Sequence, residues 1–337
     1  MTEVSDWRPG ADLRILELRA VLLRRLRGWF DEFGVLEVDT PVLSVAGSTD
    51  PNLASLTTKI DGQRFYLHTS PEFPMKRLLA AGSGDIYQVC KAFRGSEKGR
   101  RHNPEFTMVE WYRLGITLEQ MMDGVEALVA ELVRAASDSG ITCCTIGSLP
   151  DSLRMSYRDL LLRYAGVDPF VDSGARLVET LRQRLEEDSI EVPPSLTQDS
   201  DALLDMLISL VVEPALDPRI PVFVYDYPVS QASLARIKAN EPPVADRFEL
   251  IWQGMELANG FRELTDHTEQ RRRFESDLAQ RHALADSSPL LDERFLAALE
   301  NGMPDCSGVA LGFDRLLMAV TGLGDIGNVM AFDISRS

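Results

Sequence analysis

The pattern of apolar residues begins with one long amphipathic stretch near the start of the chain. From Leu13, apolar side chains recur every three or four residues, and arginines occupy the other faces. This spacing predicts a helix with one buried stripe. Asp12 is a suitable N-cap and Gly34 a suitable stop, and residues 35–38 are then expected to form a short strand.

Further along, runs of residues typical of strands lie on both sides of a region with mainly helical periodicity. Strands before and after a helical block, with no regular alternation of strand and helix, favour an α+β fold with a mostly antiparallel sheet flanked by helices. We expect a single domain over residues 1–337, in which about 117–219 form a helical insertion. The predicted strands are residues 65–68, 86–94, 105–113, 222–225, 247–252, 255–264 and 308–312, and the predicted helices outside the insertion include 269–284 and a last one from Phe313.

The composition fits a folded protein with a sizeable core. The chain has 337 residues, of which 45% are hydrophobic and 26% are charged. No uncharged stretch reaches the ~20 residues of a membrane-spanning helix, and the acidic start, which contains Pro and Gly, is unlike a signal peptide. We therefore expect a cytoplasmic protein. The net charge of −17 disfavours indiscriminate binding to nucleic acid, although a local basic face is compatible with that charge.

Cysteine and histidine spacing gives no sign of a metal or disulfide framework. The four cysteines form no CxxC and the four histidines no HxxxH, so buried thiols are expected. The sequence also lacks GxGxxG after a strand and GxxxxGK[ST]. Any nucleotide would therefore be held by something other than those two phosphate-binding loops.

The segment 93–113 carries the first candidate chemistry. It is predicted to be a hairpin whose loop is rich in Arg, Lys and His, which suits a polyanion. On its second strand Phe106, Met108, Glu110 and Tyr112 share one face, because side chains alternate along a strand. The alternative is a solvated basic hairpin with ordinary core aromatics.

Two further segments add carboxylates and glycines. In 247–266, Glu249, Glu256 and Glu263 stand among apolar residues; a turn at Gln253-Gly254 or a bulge at Asn259-Gly260 is needed if all three are to converge. The alternative is a strand pair with solvent-facing acids. In 307–320, a glycine-rich strand runs into a helix whose first turn carries Arg315, a residue type that binds phosphate.

Taken in this order, the three segments resemble the signature motifs of class II aminoacyl-tRNA synthetases. The sequence from about Asp12 to Phe332 is similar to the lysyl branch of this class. The similarity lies in the segments GVLEVDTP, TSPEF, RHNPEFTMVEWY, RFEL, ELANGF and ELTD. Only a short segment precedes the first helix, so we expect no anticodon-binding domain. PVSQASLA at 228–235 resembles the freestanding lysyl-tRNA synthetase paralogues that ligate β-lysine to elongation factor P, the PoxA/GenX family.

The resemblance implies a role for each matching residue. Arg94 would hold the α-phosphate of ATP and the carboxylate of the amino acid, Arg315 the γ-phosphate, and Phe106 would stack on adenine. Glu249 and Glu256 would hold Mg²⁺. Further nucleotide contacts are implied for Ser96, Glu97, His102, Asn103, Leu250 and Gly312, and amino-acid contacts for Ser70, Glu72, Tyr112, Glu256, Asn259, Glu263 and Ala310.

Within the amino-acid set, Glu263 and Tyr112 would meet the ε-ammonium group, Glu72 and Ser70 the other amino group, and Asn259 the carboxylate. Two carboxylates addressing two ammonium groups suit a diamino acid. One departure concerns the hairpin loop, where the family has arginine, any residue and glutamate: here Ser96 stands in the glutamate position, followed by Glu97.

The resemblance implies an ATP-dependent ligase that forms a β-lysyl adenylate and transfers the acyl group to a lysine of elongation factor P, without tRNA. The first helix matches the element that builds a two-fold interface in class II relatives, so a homodimer is expected. Alternatives are a lysyl-adenylate former with another acceptor, a minimal lysyl-tRNA synthetase, and a catalytically idle paralogue that acts as a binding subunit.

Overall fold

The computed structural model describes residues 7–95, 97–141, 146–185, 193, 196–197, 199–283 and 289–337. Ser96, Cys143 and Cys144, to which the sequence drew attention, lie outside the described residues. The chain divides into two compact units. Unit 1 comprises Met1–Leu149 and Glu263–Ser337, and unit 2 comprises Pro150–Arg262.

The helices are α1 (Leu13–Glu32), α2 (Glu72–Ala80), α3 (Leu118–Asp138), α4 (Tyr157–Tyr164), α5 (Gly174–Leu185), α6 (Ser200–Leu207), α7 (Glu213–Ala215), α8 (His267–Ala283), α9 (Glu293–Gly302) and α10 (Phe313–Thr321). The strands are β1 (Leu36–Glu37), β2 (Leu43–Ser44), β3 (Thr57–Ile60), β4 (Gln63–Leu67), β5 (Ile86–Phe93), β6 (Glu105–Leu114), β7 (Leu153–Ser156), β8 (Val222–Pro228), β9 (Ile237–Lys238), β10 (Val244–Trp252), β11 (Met255–Arg262) and β12 (Cys306–Gly312).

Unit 1 is built on four strands in the order β1, β5, β6, β12, with α1 packed on one face. β1 is parallel to β5, and the other pairs are antiparallel. Phe30 of α1 stacks on Tyr87 at 4.1 Å between ring centroids and meets the edge of Trp111 at 5.5 Å. Since side chains alternate along a strand, the even-numbered residues of β5 and β6 point to the opposite face, away from α1. A separate small sheet has the order β2, β4, β3.

Unit 2 contains strands in the order β11, β10, β8, β7, with β9 paired to β10. All these pairs are antiparallel except β7 with β8. Helices α4 to α6 supply most of its core, in which Leu161, Leu203 and Leu207 pack with Val222 and Val224 of β8. Glu249 of β10 lies across from Val224 of β8, so this polar residue of β10 shares the face of the sheet that carries this core.

The elements with the strongest patterns are confirmed. Asp12 caps α1 by accepting from the backbone N–H of Arg14 at 2.8 Å, and Gly34 follows the helix with a positive φ of 66°. The predicted hairpin is the antiparallel pair of β5 and β6. The α+β class with mostly antiparallel pairing and flanking helices is also confirmed.

The structure also contains elements that were not predicted. The predicted helical insertion contains a short strand, β7, and after the end of α6 at Leu207 the residues Ile208–Val212 form a π-helical turn. Helices α2 and α9 and strands β2, β3 and β9 were not predicted. Among the described residues, no helix combines the length and apolar character that a membrane crossing requires.

Candidate active site

The face of the unit 1 sheet opposite α1 carries polar side chains from β6. Glu110 lies directly across from Ala310 of β12, and Tyr112 lies across from Gly308. Residues paired in this way share a face of the sheet. The Tyr112 hydroxyl donates to Glu110 Oε1 at 2.6 Å, and both side chains are buried. The structure therefore places Tyr112 and Ala310 on one surface, as the sequence predicts.

Helix α2 brings a second carboxylate and a lysine to this surface. Lys76 Nζ lies 2.6 Å from Glu72 Oε1, one turn earlier in the helix, and 2.6 Å from Glu263 Oε2. Lys76 is completely buried, and Glu263 is 1% exposed. The Ser70 hydroxyl accepts from the backbone N–H of Glu72 at 3.1 Å and so fixes the start of the helix. We call the side chains of Glu72, Lys76, Glu110, Tyr112 and Glu263 the acidic cluster.

Burial controls the ionisation of the acidic cluster. It raises the pKa of Glu110 to about 8 and that of Glu263 to about 7, although Lys76 opposes both changes. Burial also disfavours the ammonium of Lys76, but Glu263 and Glu72 together raise its pKa above the ordinary value. Glu110 Oε2 is buried and has no hydrogen-bond partner among the described residues. The cluster therefore has more acid than its internal lysine balances.

Gly308 is required beside the acidic cluster. A Cβ atom at this position would collide with Glu263 Oε1 and with the ring of Tyr112. The backbone N–H of Gly308 also donates to the carboxylate of Glu263. Glycine therefore allows both side chains to lie against the strand, which explains the glycine at this point of the predicted glycine-rich strand.

The loop between β5 and β6 begins with Arg94, which lies over an aromatic ring. Its guanidinium carbon is 5.2 Å from the ring centroid of Phe106, and its Nη1 donates to Glu97 Oε1 at 3.2 Å. A half-buried cation beside an aromatic face provides a charge and a stacking surface. The sequence implies nucleotide contacts for Arg94, Ser96 and Glu97 of this loop. Ser96 lies outside the described residues, and the structure shows Arg94 paired with Glu97.

Helix α10 presents Arg315 in its first turn. The guanidinium donates to His102 Nε2 at 2.7 Å, so the start of this helix contacts the hairpin loop. Gly312 is the residue before the helix, in an extended conformation. Asn103 contributes to the fold of the loop, because its amide donates to the carbonyl of Glu105 at 2.6 Å and accepts from the backbone of Ile334 at 3.0 Å.

Asp314 fixes the position of α10. This buried carboxylate accepts from the backbone N–H of Thr107 on β6 at 2.6 Å and from Arg19 of α1 at 2.5 Å. Arg19 also donates to the Thr107 hydroxyl at 2.5 Å. The orientation of the neighbouring Arg315 is therefore tied to a strand and to a second helix.

In unit 2, the antiparallel pair of β10 and β11 aligns the remaining candidates. Glu249 lies directly across from Asn259, and Glu256 across from Ile251. The register shifts by one residue between Leu250 and Ile251, where β11 has one more residue than β10. This bulge brings Glu256 to the face of Glu249, because one extra residue reverses the alternation. The sequence left two alternatives, a turn at Gln253-Gly254 or a bulge at Asn259-Gly260. The structure has the turn at Gln253-Gly254, and its bulge lies next to that turn rather than at Asn259-Gly260.

Arg247 connects these groups. Its guanidinium forms an ion pair with Glu249, donates to Asn259 Oδ1 at 3.2 Å and lies 4.3 Å from the ring centroid of Tyr227. Burial raises the pKa of Glu249 to about 7, while Arg247 lowers it and the nearby charge of Glu256 raises it. Leu250 is buried opposite Ala258.

Two carboxylates, Glu249 and Glu256, are the candidates for a Mg²⁺ site. Their oxygen atoms are the donor type that this ion prefers, and Mg²⁺ is often held by one or two carboxylates together with substrate phosphates. Within the described residues, no group of three or more His, Cys, Asp or Glu side chains is placed to hold a metal. The donors present fit an ion that receives its other ligands from phosphate and water.

Four residues near the candidate groups were not singled out for a role by the sequence. Lys76 lies in a segment that was not predicted to be a helix, Asp314 lies in the first turn of the predicted last helix, and Arg247 is the first residue of a predicted strand. Glu110 was placed on the correct face without a role. The available signal is a charged residue among apolar neighbours, since such a group is costly unless it is paired.

Comparisons with known proteins identify the family of the chain. The family model of class II tRNA synthetases (D, K and N) matches residues 3–336. An elongation factor P--(R)-beta-lysine ligase of Vibrio vulnificus is 44% identical over 334 residues, covering 97% of this chain and 98% of the relative. Relatives of the same name from Proteus mirabilis and Vibrio atlanticus are 43% and 42% identical, and cover 100% and 99% of both chains.

The chain therefore belongs to the class II tRNA synthetase family and, within it, to the elongation factor P--(R)-beta-lysine ligases. The resemblance inferred from the sequence motifs is confirmed.

Proposed function

We propose that this protein activates (R)-β-lysine with ATP and transfers the acyl group to the ε-amino group of a lysine on elongation factor P. The observation that carries the proposal is the similarity over nearly the whole chain to relatives named for this ligation. The acceptor, the β-isomer and the independence from tRNA rest on that similarity.

The acidic cluster supports a substrate with two amino groups. If Glu72, Glu110 and Glu263 are ionised and Lys76 is protonated, three negative charges and one positive charge leave a net charge of −2. Two ammonium groups balance this charge. In the proposed arrangement Glu263 and Tyr112 receive the ε-ammonium, Glu72 and Ser70 receive the β-ammonium, and Asn259 addresses the substrate carboxylate.

The activation step needs no protein nucleophile. A carboxylate oxygen of the amino acid attacks the α-phosphorus of ATP, a new P–O bond forms, and the bond to pyrophosphate breaks. We assign Arg94 to the α-phosphate and the incoming carboxylate, Arg315 to the γ-phosphate, and Phe106 to the adenine ring with His102 beside it. Such residues act by positioning and by neutralising charge.

Glu249 and Glu256 are assigned to Mg²⁺, which neutralises phosphate charge when it is bound. Arg247 holds the Glu249 carboxylate in place through its ion pair and its contact with Asn259. We assign to Arg247 the role of keeping Glu249 ionised in a buried site, since it lowers the pKa that burial raises.

In the transfer step, an uncharged lysine amine of the acceptor attacks the acyl carbon of the adenylate. The C–N bond forms, the C–O bond to AMP breaks, and the amine loses a proton. In this proposal the acceptor is a protein amine rather than a tRNA hydroxyl.

We also propose that the protein acts as a homodimer. Support comes from exposed apolar side chains where α1 passes into β1, since Phe33 and Leu36 are each 55% exposed. Apolar side chains grouped on a surface favour burial against a partner.

The test is an acceptor assay with the purified protein, ATP and radiolabelled (R)-β-lysine. We expect label to become acid-stable on purified elongation factor P and not on bulk tRNA. Labelling of tRNA alone would replace the proposal with a synthetase activity. The absence of any amino-acid-dependent exchange between ATP and pyrophosphate would favour the idle paralogue.

A further inference from the structure

Lys76 is the cation of the acidic cluster, and the proposed function assigns it no contact with the substrate. It lies on α2, one helical turn after Glu72, and its ammonium is completely buried. A buried lysine ammonium is costly unless it is paired. Here it is paired twice, with Glu72 and Glu263, and it lies 5.8 Å from the ring centroid of Phe295 on α9.

The packing of α2 fixes this ammonium. Phe73 of the same helix stacks on Phe295 at 4.8 Å between ring centroids and contacts Phe274 of α8 at 5.5 Å. Met75 and Leu79 are also buried. Lys76 therefore cannot turn toward solvent without moving a helix that is packed against two others, so we treat its ammonium as a permanent part of the cluster.

The two oxygens of Glu263 have different surroundings. Oε2 faces Lys76 at 2.6 Å, whereas Oε1 lies over Gly308 beside the ring of Tyr112. One oxygen is thus used by the internal cation, and the other lies on the face of the sheet that carries Glu110 and Ala310. Glu72 shares the same cation through Oε1.

We propose that Lys76 is a positioning residue for the amino-acid substrate, whose buried ammonium pairs with Glu72 and Glu263 and aligns them to receive the substrate's amino groups. The inference rests on the proposed function, because it concerns the same substrate. Without this cation, two carboxylates that now share one ammonium would repel each other, and Glu263, buried among Glu72, Glu110 and Tyr112, would take up a proton. A protonated carboxyl no longer attracts an ammonium group as strongly.

The experiment compares Lys76→Met, Lys76→Arg and wild type in exchange between ATP and pyrophosphate driven by (R)-β-lysine. Lys76→Met keeps the length of the side chain and removes its charge. We expect its KM for the amino acid to rise about tenfold or more and its KM for ATP to change less than about twofold. The acid limb of kcat/KM for the amino acid should move to higher pH by about one unit. Lys76→Arg, which keeps the charge, should leave that limb near its wild-type position.

Lys238 offers a matched control in unit 2. Its ammonium also joins two carboxylates, those of Asp226 and Asp246, but these groups have no part in the proposed site. Lys238→Met should leave both KM values and the pH profile unchanged. A general loss of folded protein would lower the rate at every pH and would not move the limb.

Three results would overturn the inference. The first is an unchanged amino-acid KM and an unchanged limb in folded Lys76→Met. The second is a lower amino-acid KM, which would make the ammonium a competitor of the substrate. The third result applies if Lys76→Met does not fold. The Nζ resonance of Lys76 is then followed in wild-type protein labelled with ¹⁵N-lysine, after assignment with Lys76→Arg. No response of this resonance to saturating amino acid would overturn the inference. Wild-type protein without exchange activity would instead count against the proposed function.

Discussion

Glu110 is a buried carboxyl whose protonation connects stability and ligand binding. Its pKa is about 8 in the folded protein, above the ordinary value of ~4.3 for glutamate. Between these values the folded state holds a proton that the unfolded state has lost, so stability falls as pH rises toward 8. We predict that the melting temperature of the ligand-free protein decreases from pH 6 to pH 9, and that Glu110→Gln makes this decrease smaller.

Binding should show the opposite trend, because ammonium groups bind to ionised carboxylates. The affinity of the wild type for the amino acid, measured by calorimetry, is expected to rise over the same pH range as Glu110 and Glu263 lose their protons. For the stability prediction, the melting temperatures of wild type and Glu110→Gln are compared over the same pH range. An identical decrease of the melting temperature in both proteins would show that groups other than Glu110 cause it.

Glu249 and Arg315 are the residues whose charges we expect the activation step to need most. Glu249→Gln and Arg315→Ala should each lower amino-acid-dependent exchange by about a hundredfold or more, since loss of one preorganised charge in a transition state has effects of that size. Circular dichroism should show that both variants are folded. Near-normal exchange in either variant would remove that residue from the site.

Ala310 lies across from Glu110 on the surface that carries the acidic cluster. Gly308 and Gly312 flank Ala310 on the same face of this strand, so Ala310 is the position there that carries a methyl group. Moving an amino group from the α to the β carbon changes the outline of the ligand by about one carbon, which a closely packed wall can convert into ~1 to 3 kcal/mol of discrimination.

We therefore predict that Ala310→Gly lowers the ratio of kcat/KM for (R)-β-lysine to that for α-lysine, at an unchanged KM for ATP. An unchanged ratio would place isomer preference elsewhere, with Ser70, Glu72 and the segment around Ala232 the next candidates.

At the scale of elements, α10 depends on a buried ion pair at its first turn. Asp314 is 2% exposed and joins α10 to Arg19 of α1 and to the backbone of β6. Breaking such a pair by removing one charge typically costs ~3 to 5 kcal/mol, because the other charge stays partly buried. Asp314→Asn should lower the urea midpoint and raise the KM for ATP, since Arg315 is the next residue.

The control for this prediction is Arg27→Ala. Arg27 lies on α1, the helix that carries Arg19. Its ion pair with Glu37 is about half exposed, and surface pairs contribute ~0 to 1 kcal/mol. Equal destabilisation by Asp314→Asn and Arg27→Ala would contradict the role given to Asp314.

The sequence predicts an element well where one physical signal dominates. The apolar stripe and cap of α1 and the alternation in β5 and β6 are of this kind. Helix α2 was missed because Pro74 and Lys76 interrupt its apolar pattern, although Lys76 is buried. In a sequence, a buried charged residue cannot be distinguished from a surface residue, because its partners come together only on folding. The partners of Lys76 are Glu72 and the distant Glu263.

The bulge between β10 and β11 shows the same limit for the candidate site. The alternation of side chains shows that Glu249 and Glu256 can share a face only if a turn or a bulge intervenes, but it does not show where that feature lies. The structure places the extra residue opposite the step from Leu250 to Ile251, close to the turn at Gln253 and Gly254, which both have positive φ. Because local packing decides the position of a bulge, the alternation of side chains in the sequence shows only that a turn or a bulge is needed.

At the scale of the whole molecule, the exposed apolar side chains around α1 lead to the prediction of a dimer. Phe33 and Leu36 are each 55% exposed in a single chain, at the point where α1 passes into β1. A two-fold symmetric contact would bring this patch against its own copy and bury both, and such contacts are the commonest among oligomers. Multi-angle light scattering at micromolar concentration should therefore give a mass of twice the 37.5 kDa chain.

A variant separates this contact from the fold of the single chain. Leu36→Glu adds a charge to an exposed position, so it should leave the melting profile of the monomer close to that of the wild type while opposing self-association by like-charge repulsion. Leu153→Glu, at a position 43% exposed in unit 2, is the matched control and should stay dimeric. A wild-type protein that is monomeric at micromolar concentration would contradict the dimer, and a dimeric Leu36→Glu would move the contact away from α1 and β1.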